Sequence, residues 1–171
     1  MSAVVLKWNP SFSSYTMLRY LEDLYYCNEE GLQSFNWSVW DHDKIHAGDR
    51  YYWVKLGYGA VGVVSAGIIT SEPYLSRDWS GSDRKIYYVD FEPEVLINPD
   101  TLPILTSEEL SKAIPTFDWF KGHSGLVLDP VTAAQTEETW QLFLHRYEAY
   151  FRKARQNHPL DQLFMLNDDD E

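Results

Sequence analysis

Cysteine is nearly absent from this chain. Cys27 is the only one among 171 residues, so no disulfide can form within it, which fits a reducing compartment. No apolar run approaches the ~20 residues that a membrane span requires. No basic segment followed by an apolar stretch stands at the start, so no secretory signal is expected and the expected location is cytoplasmic. Basic residues are also scarce. Fourteen Lys and Arg face twenty-six Asp and Glu, for a formal net charge of -12. Neutralising the phosphates of a duplex is therefore excluded as the main source of affinity. A nucleic-acid role would need a local basic patch, a single recognised base or a basic partner. Internal repeats, low-complexity linkers and parallel βαβ patterning are missing too, which argues against a doubly wound sheet.

What is abundant is the aromatic ring. Seven tryptophans, twelve tyrosines and eight phenylalanines make up 16% of the chain. Either a small aromatic core or a ring-lined ligand pocket would explain this share.

The stretch from Gly48 to Trp79 organises the rest. Gly48-Asp49 precedes Arg50-Tyr51-Tyr52-Trp53-Val54-Lys55, a turn launching a strand. Gly57-Tyr58-Gly59 connects it to a second strand over Val61 to Ile69. Gly62 and Gly67 within that strand predict bulges or close backbone approach, as where a sheet curls towards a barrel.

Along the rest of the chain, Ala3 to Trp8 reads as a strand ended by Asn9-Pro10. Ser13 or Ser14 is the expected cap of a helix burying Met17, Leu18, Leu21, Leu24 and Tyr25, with Gly31 at its exit. Ser34 to Trp40 alternates as a strand, which would put Trp37 and Trp40 on opposite sides. Ser76 to Asp83 reads as a polar loop carrying Trp79, and Lys85 to about Glu94 as a strand. Thr106-Ser107-Glu108-Glu109 has the form of a capping box before a helix stopped by Pro115. Leu126 to Leu128 reads as a brief strand. Asp129 and Pro130 open a last helix, about 130–156, with Trp140, Phe143, Leu144, Tyr147 and Phe151 as its buried stripe. The expected organisation is one α+β domain over 1–160 and an acidic tail over 161–171.

Several motifs give way to plainer readings. Gly57-Tyr58-Gly59-Ala60-Val61-Gly62 matches G-x-G-x-x-G, but a strand follows where a phosphate-binding helix should begin. Asp41, His42, Asp43 and His46 lack a supporting ligand group elsewhere, so a solvated loop is the better reading than a metal. Asp90, Glu92 and Glu94 share a strand face without the lysine that nuclease sites often carry. His123 and Ser124 are neighbours, a poor geometry for a base and its nucleophile. No catalytic constellation, metal or cofactor is expected. Trp53 and Trp140 sit in periodic elements and read as core. Trp79 and Trp119 sit in polar loops, where a bare ring is costly unless something covers it.

The order of these features resembles the PUA-like superfamily, in particular its EVE branch, with YTH and ASCH domains as relatives. The likeness runs from about Val4 to Asp129. Ser71-Glu72-Pro73-Tyr74, Trp79 and Gly122-His123-Ser124-Gly125 are also similar to EVE-like modules fused to bacterial HNH-type nucleases. The resemblance implies a curved mixed sheet or pseudo-barrel flanked by helices, with the last helix as an addition. It implies a non-catalytic module holding a methylated or hydroxymethylated base, in DNA, RNA or a free nucleotide. Carried over by position, the cage is Trp37 or Trp40 together with Trp79, and Trp8 and Asn9 stand at the first strand's end. Ser38 would contact the base edge, and His123 and Ser124 the rim. Two departures stand out, the acidic balance and the lack of an attached nuclease module. They leave open a protein-interaction or small-ligand domain with a basic protein partner and no nucleic-acid role.

Overall fold

Strand β1 (Ala3–Trp8) is buried along its whole length, lysine included. In the computed structural model, which describes residues 1–156 and 163–166, β1 lies parallel to β3 (Arg50–Lys55), pairing Ala3 with Arg50 and Trp8 with Lys55. The link between them holds α1 (Met17–Glu30) and β2 (Phe35–Ser38). This is a crossover connection containing a helix, so the expectation that parallel βαβ units are absent is corrected. A parallel partner requires the chain to return to its starting end, and α1 makes that return.

Strands β3 and β4 (Gly62–Ile69) form the expected antiparallel hairpin, with register shifts at Trp53/Val54 and again at Ala66/Gly67 against β6 (Lys85–Ile97). Gly67 is glycine because a Cβ there would stand 2.2 Å from the Glu92 carbonyl oxygen. Pro93, which has no N–H to give to a ladder, sits opposite in the same irregularity. The Lys55 ammonium is buried and ties the hairpin loop by donating to the Tyr58 and Ala60 carbonyls, at 2.6 and 2.9 Å.

The polar loop expected over Ser76 to Asp83 begins inside a strand, at Ser76 and Arg77. β5 (Tyr74–Arg77) folds back on β6, pairing Tyr74 with Tyr88 and Arg77 with Lys85. All four of its residues are exposed, so no alternation of apolar and polar side chains marked it. β7 (Leu105–Thr106) joins β4, followed by α2 (Ser107–Ala113), and Thr106 caps that helix through the Glu109 N–H as the capping-box pattern implies. β8 (Leu126–Val127) joins β1. Asp129 caps α3 (Pro130–Arg146) through the Thr132 N–H at 2.9 Å. The last helix is not continuous. It breaks at Tyr147 and resumes as α4 (Glu148–Gln156). Trp140, Phe143 and Phe151 are buried as expected. β9 (Leu163–Met165) pairs with β6. It falls inside the stretch read as tail, and its buried Leu163 and Phe164 explain the pairing. The acidic residues 168–171 lie outside the described residues.

Two corrections concern α1. Its cap is Thr16, whose hydroxyl accepts the Arg19 N–H, while the Ser13 hydroxyl accepts the Tyr15 N–H one turn earlier. Its buried residues are Tyr20, Leu24 and Cys27, at i, i+4 and i+7; Leu18 and Tyr25 are exposed. Tyr20 can face inwards because its hydroxyl donates to the Ile97 carbonyl at 2.7 Å.

The principal order of the strands is β2-β6-β4-β3-β1-β8, and the two ends meet. Beyond β2, the Trp40 and Asp41 amides donate to the Ser124 and Gly125 carbonyls, at 2.8 and 2.9 Å. The Asp41 carboxylate then accepts the Val127 N–H on β8. The sheet is therefore an α+β pseudo-barrel of mixed strands, flanked by helices, as the resemblance implies. Tyr51, Trp53 and Phe91 pack inside it. On the outside, Arg50 binds Glu94 at 2.6 Å and Glu137 of α3 at 3.3 Å, fixing that helix to the sheet.

Gly125 sits at the seam with φ 79°, and a Cβ there would stand 2.4 Å from the Val39 Cα; Gly81 has a similar φ of 87° in open space. Gly81→Ala should cost about 1–2 kcal/mol for the left-handed backbone. Gly125→Ala should cost that plus about 1–3 kcal/mol of overpacking. Urea midpoints of the two variants read the difference, and equal losses would mean that the seam is not tightly packed.

Candidate functional site

A cavity of about 920 Å³ lies at the mouth of the barrel between the end of β1, helix α1, strand β2 and two loops. Its lining includes Trp8, Asn9, Trp37, Ser38, Trp79, His123 and Ser124. Seven of the eight residues singled out from the sequence thus border one cleft. The eighth, Trp40, does not line it. Trp40 stacks on His123 from behind, with ring centroids 3.8 Å apart and planes 5° from parallel.

The floor is aromatic and fixed. Trp8 is buried, and its indole N–H donates to the Tyr15 carbonyl at 2.7 Å. Trp53 meets Trp8 at 5.3 Å and Trp37 at 5.1 Å between centroids. Tyr15 lies over Trp53 and edge-on to Trp37. Its hydroxyl donates to Asp23 at 2.5 Å; burial first, then that carboxylate, raises its pKa, so the phenol stays neutral. The Trp53 indole N–H is buried and has no acceptor among the described residues. An unpaired buried donor of this kind costs about 1–3 kcal/mol. The floor residue is therefore both core, as its periodicity implies, and part of the cleft.

Trp79 also borders the cleft and is half exposed. Its position depends on Tyr88, whose hydroxyl accepts the Trp79 N–H at 3.0 Å and donates to the Arg77 carbonyl at 2.7 Å. Asp78 braces the same turn by accepting from Arg84 and from the Ser80 N–H and hydroxyl. Arg84, then Ser80, hold its carboxyl down at about 2. The ring is thus presented on an ordered loop. Trp119, the other loop tryptophan, is fully covered instead and bonds the Ile114 carbonyl.

The main chain of Lys7 ties the two remaining walls together. Its N–H donates to the Ser124 hydroxyl at 2.9 Å, and its carbonyl accepts the Trp37 indole N–H at 3.0 Å. Its side chain holds the loop before Ser124, donating to the Asp118 carbonyl at 2.8 Å and to the Lys121 carbonyl. Burial lowers the lysine's pKa, and Asp118 partly offsets this. Sequence reasoning passed over Lys7, Tyr15 and Tyr88. For Lys7 a signal existed, a lone cation in the middle of an apolar strand.

The polar rim has spare capacity. The Asn9 side-chain oxygen accepts the Ser11 N–H, which leaves its amide NH₂ for a ligand. The Ser38 hydroxyl has no partner among the described residues. Charges in the lining balance, Lys7 and Arg19 against Asp23 and Glu30. Among the described residues no three His, Cys, Asp or Glu side chains come together as a metal site. The Asp41, His42, Asp43 and His46 group disperses. Asp41 braces β8, His42 stacks on Tyr87, and His46 pairs with Glu72. Asp90 and Glu94 are likewise engaged, with Tyr74 and Arg50. No described helix is long and apolar enough to cross a membrane.

No known family's sequence model matches the chain, and no curated protein matches it. Among solved structures, the Mmi1 YTH domain in complex with RNA is similar over 85% of this chain and 80% of that one. The identity is 6% and the TM-score 0.47.

Ser124→Ala removes the acceptor of a strand amide, and Trp37→Phe the donor to a strand carbonyl. Each should lower stability by about 1–3 kcal/mol. Unchanged urea midpoints in both would show that the two walls are not held through Lys7.

Proposed function

We propose that the cleft binds a single unpaired nucleobase, with a methylated or hydroxymethylated base as the preferred guest, in a non-catalytic reading of nucleic acid. The observation that supports this most is that indoles from β1, β2, β3 and the β5–β6 loop border one cavity. A flat heteroaromatic ring between Trp79 and Trp37 would replace water at both faces. Stacking of this kind contributes about 1–3 kcal/mol per base. Taking a base out of a stack costs a few kcal/mol, which this contact must offset. The Asn9 NH₂ and the Ser38 hydroxyl would then read its edge, and Trp53 would offer the unpaired N–H at the floor. A methyl group would fill apolar space that a bare base leaves open.

The charge distribution favours one form of ligand. A protein with a net charge of -12 gains little from a long run of phosphates. The few cations near Trp79 are Arg77 and Lys85 on the exposed ribbon, and Arg84, which Asp78 already engages. A single-stranded or flipped base fits this balance better than duplex does.

Tryptophan fluorescence titrations with short single strands test the reading. Strands carrying one 5-methylcytosine or one N6-methyladenine should bind more tightly than their unmodified counterparts, and equal or absent binding across the set overturns it. Trp79→Ala should weaken binding by about 1–3 kcal/mol with the unfolding midpoint unchanged. The salt dependence should be shallow, with a slope of about -1 for one or two neutralised phosphates.

A further inference from the structure

The rim of the cleft holds a group of donors that base recognition leaves unused. After Lys121 the chain runs through Gly122, His123 and Ser124, all bordering the cavity. The three successive backbone N–H groups donate to no acceptor among the described residues. The two amides before them, Phe120 and Lys121, are spent on the Asp118 carboxylate at 2.9 and 3.1 Å. The two that follow are also engaged, Gly125 with the Val5 carbonyl and Leu126 in the β1–β8 ladder. The open amides are therefore confined to the stretch that faces the cleft. The Ser124 hydroxyl accepts from Lys7, so its own proton is still free to donate.

Positive charge lies under the same stretch. The Lys7 ammonium is buried and held by the Asp118 and Lys121 carbonyls, and a Cβ on Gly122 would come within 3.2 Å of it. Gly122 has φ 106°, so a side chain is disfavoured there by backbone and by space. The Asp118 carboxylate is also close, and one of its oxygens is turned onto the loop's own amides. Successive unpaired amides beside a fixed cation form a concavity suited to an oxyanion.

We infer that Gly122, His123 and Ser124, backed by Lys7, are a phosphate-binding subsite of the cleft, so that its ligand is a nucleotide rather than a bare base. This rests on the base-binding reading above and deepens it. The cavity is larger than one base needs, so a ribose and one phosphate fit beside the ring. One phosphate held by backbone amides also resolves the conflict between an acidic protein and an anionic ligand. Fixed dipoles at one point replace a basic surface.

The test compares 5-methyl-2′-deoxycytidine and N6-methyladenosine with their 5′-monophosphates, with dinucleotides carrying the same bases, and with inorganic phosphate alone. Each monophosphate should bind at least about tenfold more tightly than its nucleoside, the gain expected of charge-assisted hydrogen bonds. In Lys7→Met the ratio should fall to within about twofold, the size of a weak residual hydrogen bond. Lys7 also fastens the loop, so an independent measurement uses the unaltered protein. Inorganic phosphate should shift the amide resonances of residues 122–124 in a ¹⁵N-labelled sample more than those elsewhere. Nucleoside and monophosphate binding equally, with those amides unmoved, overturns the subsite and leaves base binding standing. Phosphate shifting the amides while no nucleoside binds supports the subsite and overturns the base reading. No binding of any probe overturns both. A dinucleotide that matches the monophosphate identifies the phosphate as one inside a strand, and a weaker one as that of a free nucleotide.

Discussion

Closure of the sheet on itself is the constraint on which the site depends. The two hydrogen bonds from Trp40 and Asp41 to Ser124 and Gly125 join strand ends that are far apart in sequence and at opposite edges of the strand order. They are short enough to demand the absence of a side chain at Gly125, where Val39 already stands. Through them β2, carrying Trp37 and Ser38, is set beside the loop carrying His123 and Ser124. Without that junction the walls of the cleft would belong to separate surfaces. Lys7 reinforces the junction one layer inwards, since its N–H and carbonyl reach one wall each.

The closed barrel also explains how one residue can serve both core and cleft. Trp53 is fully buried on a strand covered on both faces, yet it borders the cavity because the barrel is left hollow at that end. Among the described residues its N–H is one of two buried side-chain donors without an acceptor; the other, on Trp140 of α3, packs against Phe143. A hollow end and an unpaired donor at its floor are what a ligand site and a strained core have in common. The aromatic walls and the polar rim make the first account the more economical one. The overall charge, which argues against a long phosphate contact, is compatible with a ligand held at a ring and at one oxyanion.

Much of the architecture was legible because it was local. The caps at Thr106 and Asp129, the exit at Gly31 and the limits of the first strand follow from hydrogen-bonding and dihedral preferences of a few neighbouring residues. Gly62 and Gly67 were readable as points of close approach, since a missing side chain in a strand interior has few other causes. Where reading failed, the decisive partner lay elsewhere. Strand β5 is exposed throughout and exists only because β6 offers it a ladder. The buried face of α1 is chosen by the sheet it covers, which accepts the Tyr20 hydroxyl and leaves Leu18 outside. Leu163 to Met165 looked like part of a charged tail until an edge of β6 paired with them.

The sequence alone determined the surplus of rings, the acidic balance, the punctuation of the helices and which loops carried an indole, because each is a property of residue type or of short-range geometry. Only the tertiary structure decided which rings share a space. Trp79 and Trp119 both sit in polar loops, yet one forms a wall of the cleft and the other is covered completely. Trp37 and Trp40 are three residues apart, yet one faces the cavity and the other backs His123. The difference is set by what packs on the far side of each ring, and that comes from chain more than a turn away, brought there by strand pairing across the whole sheet.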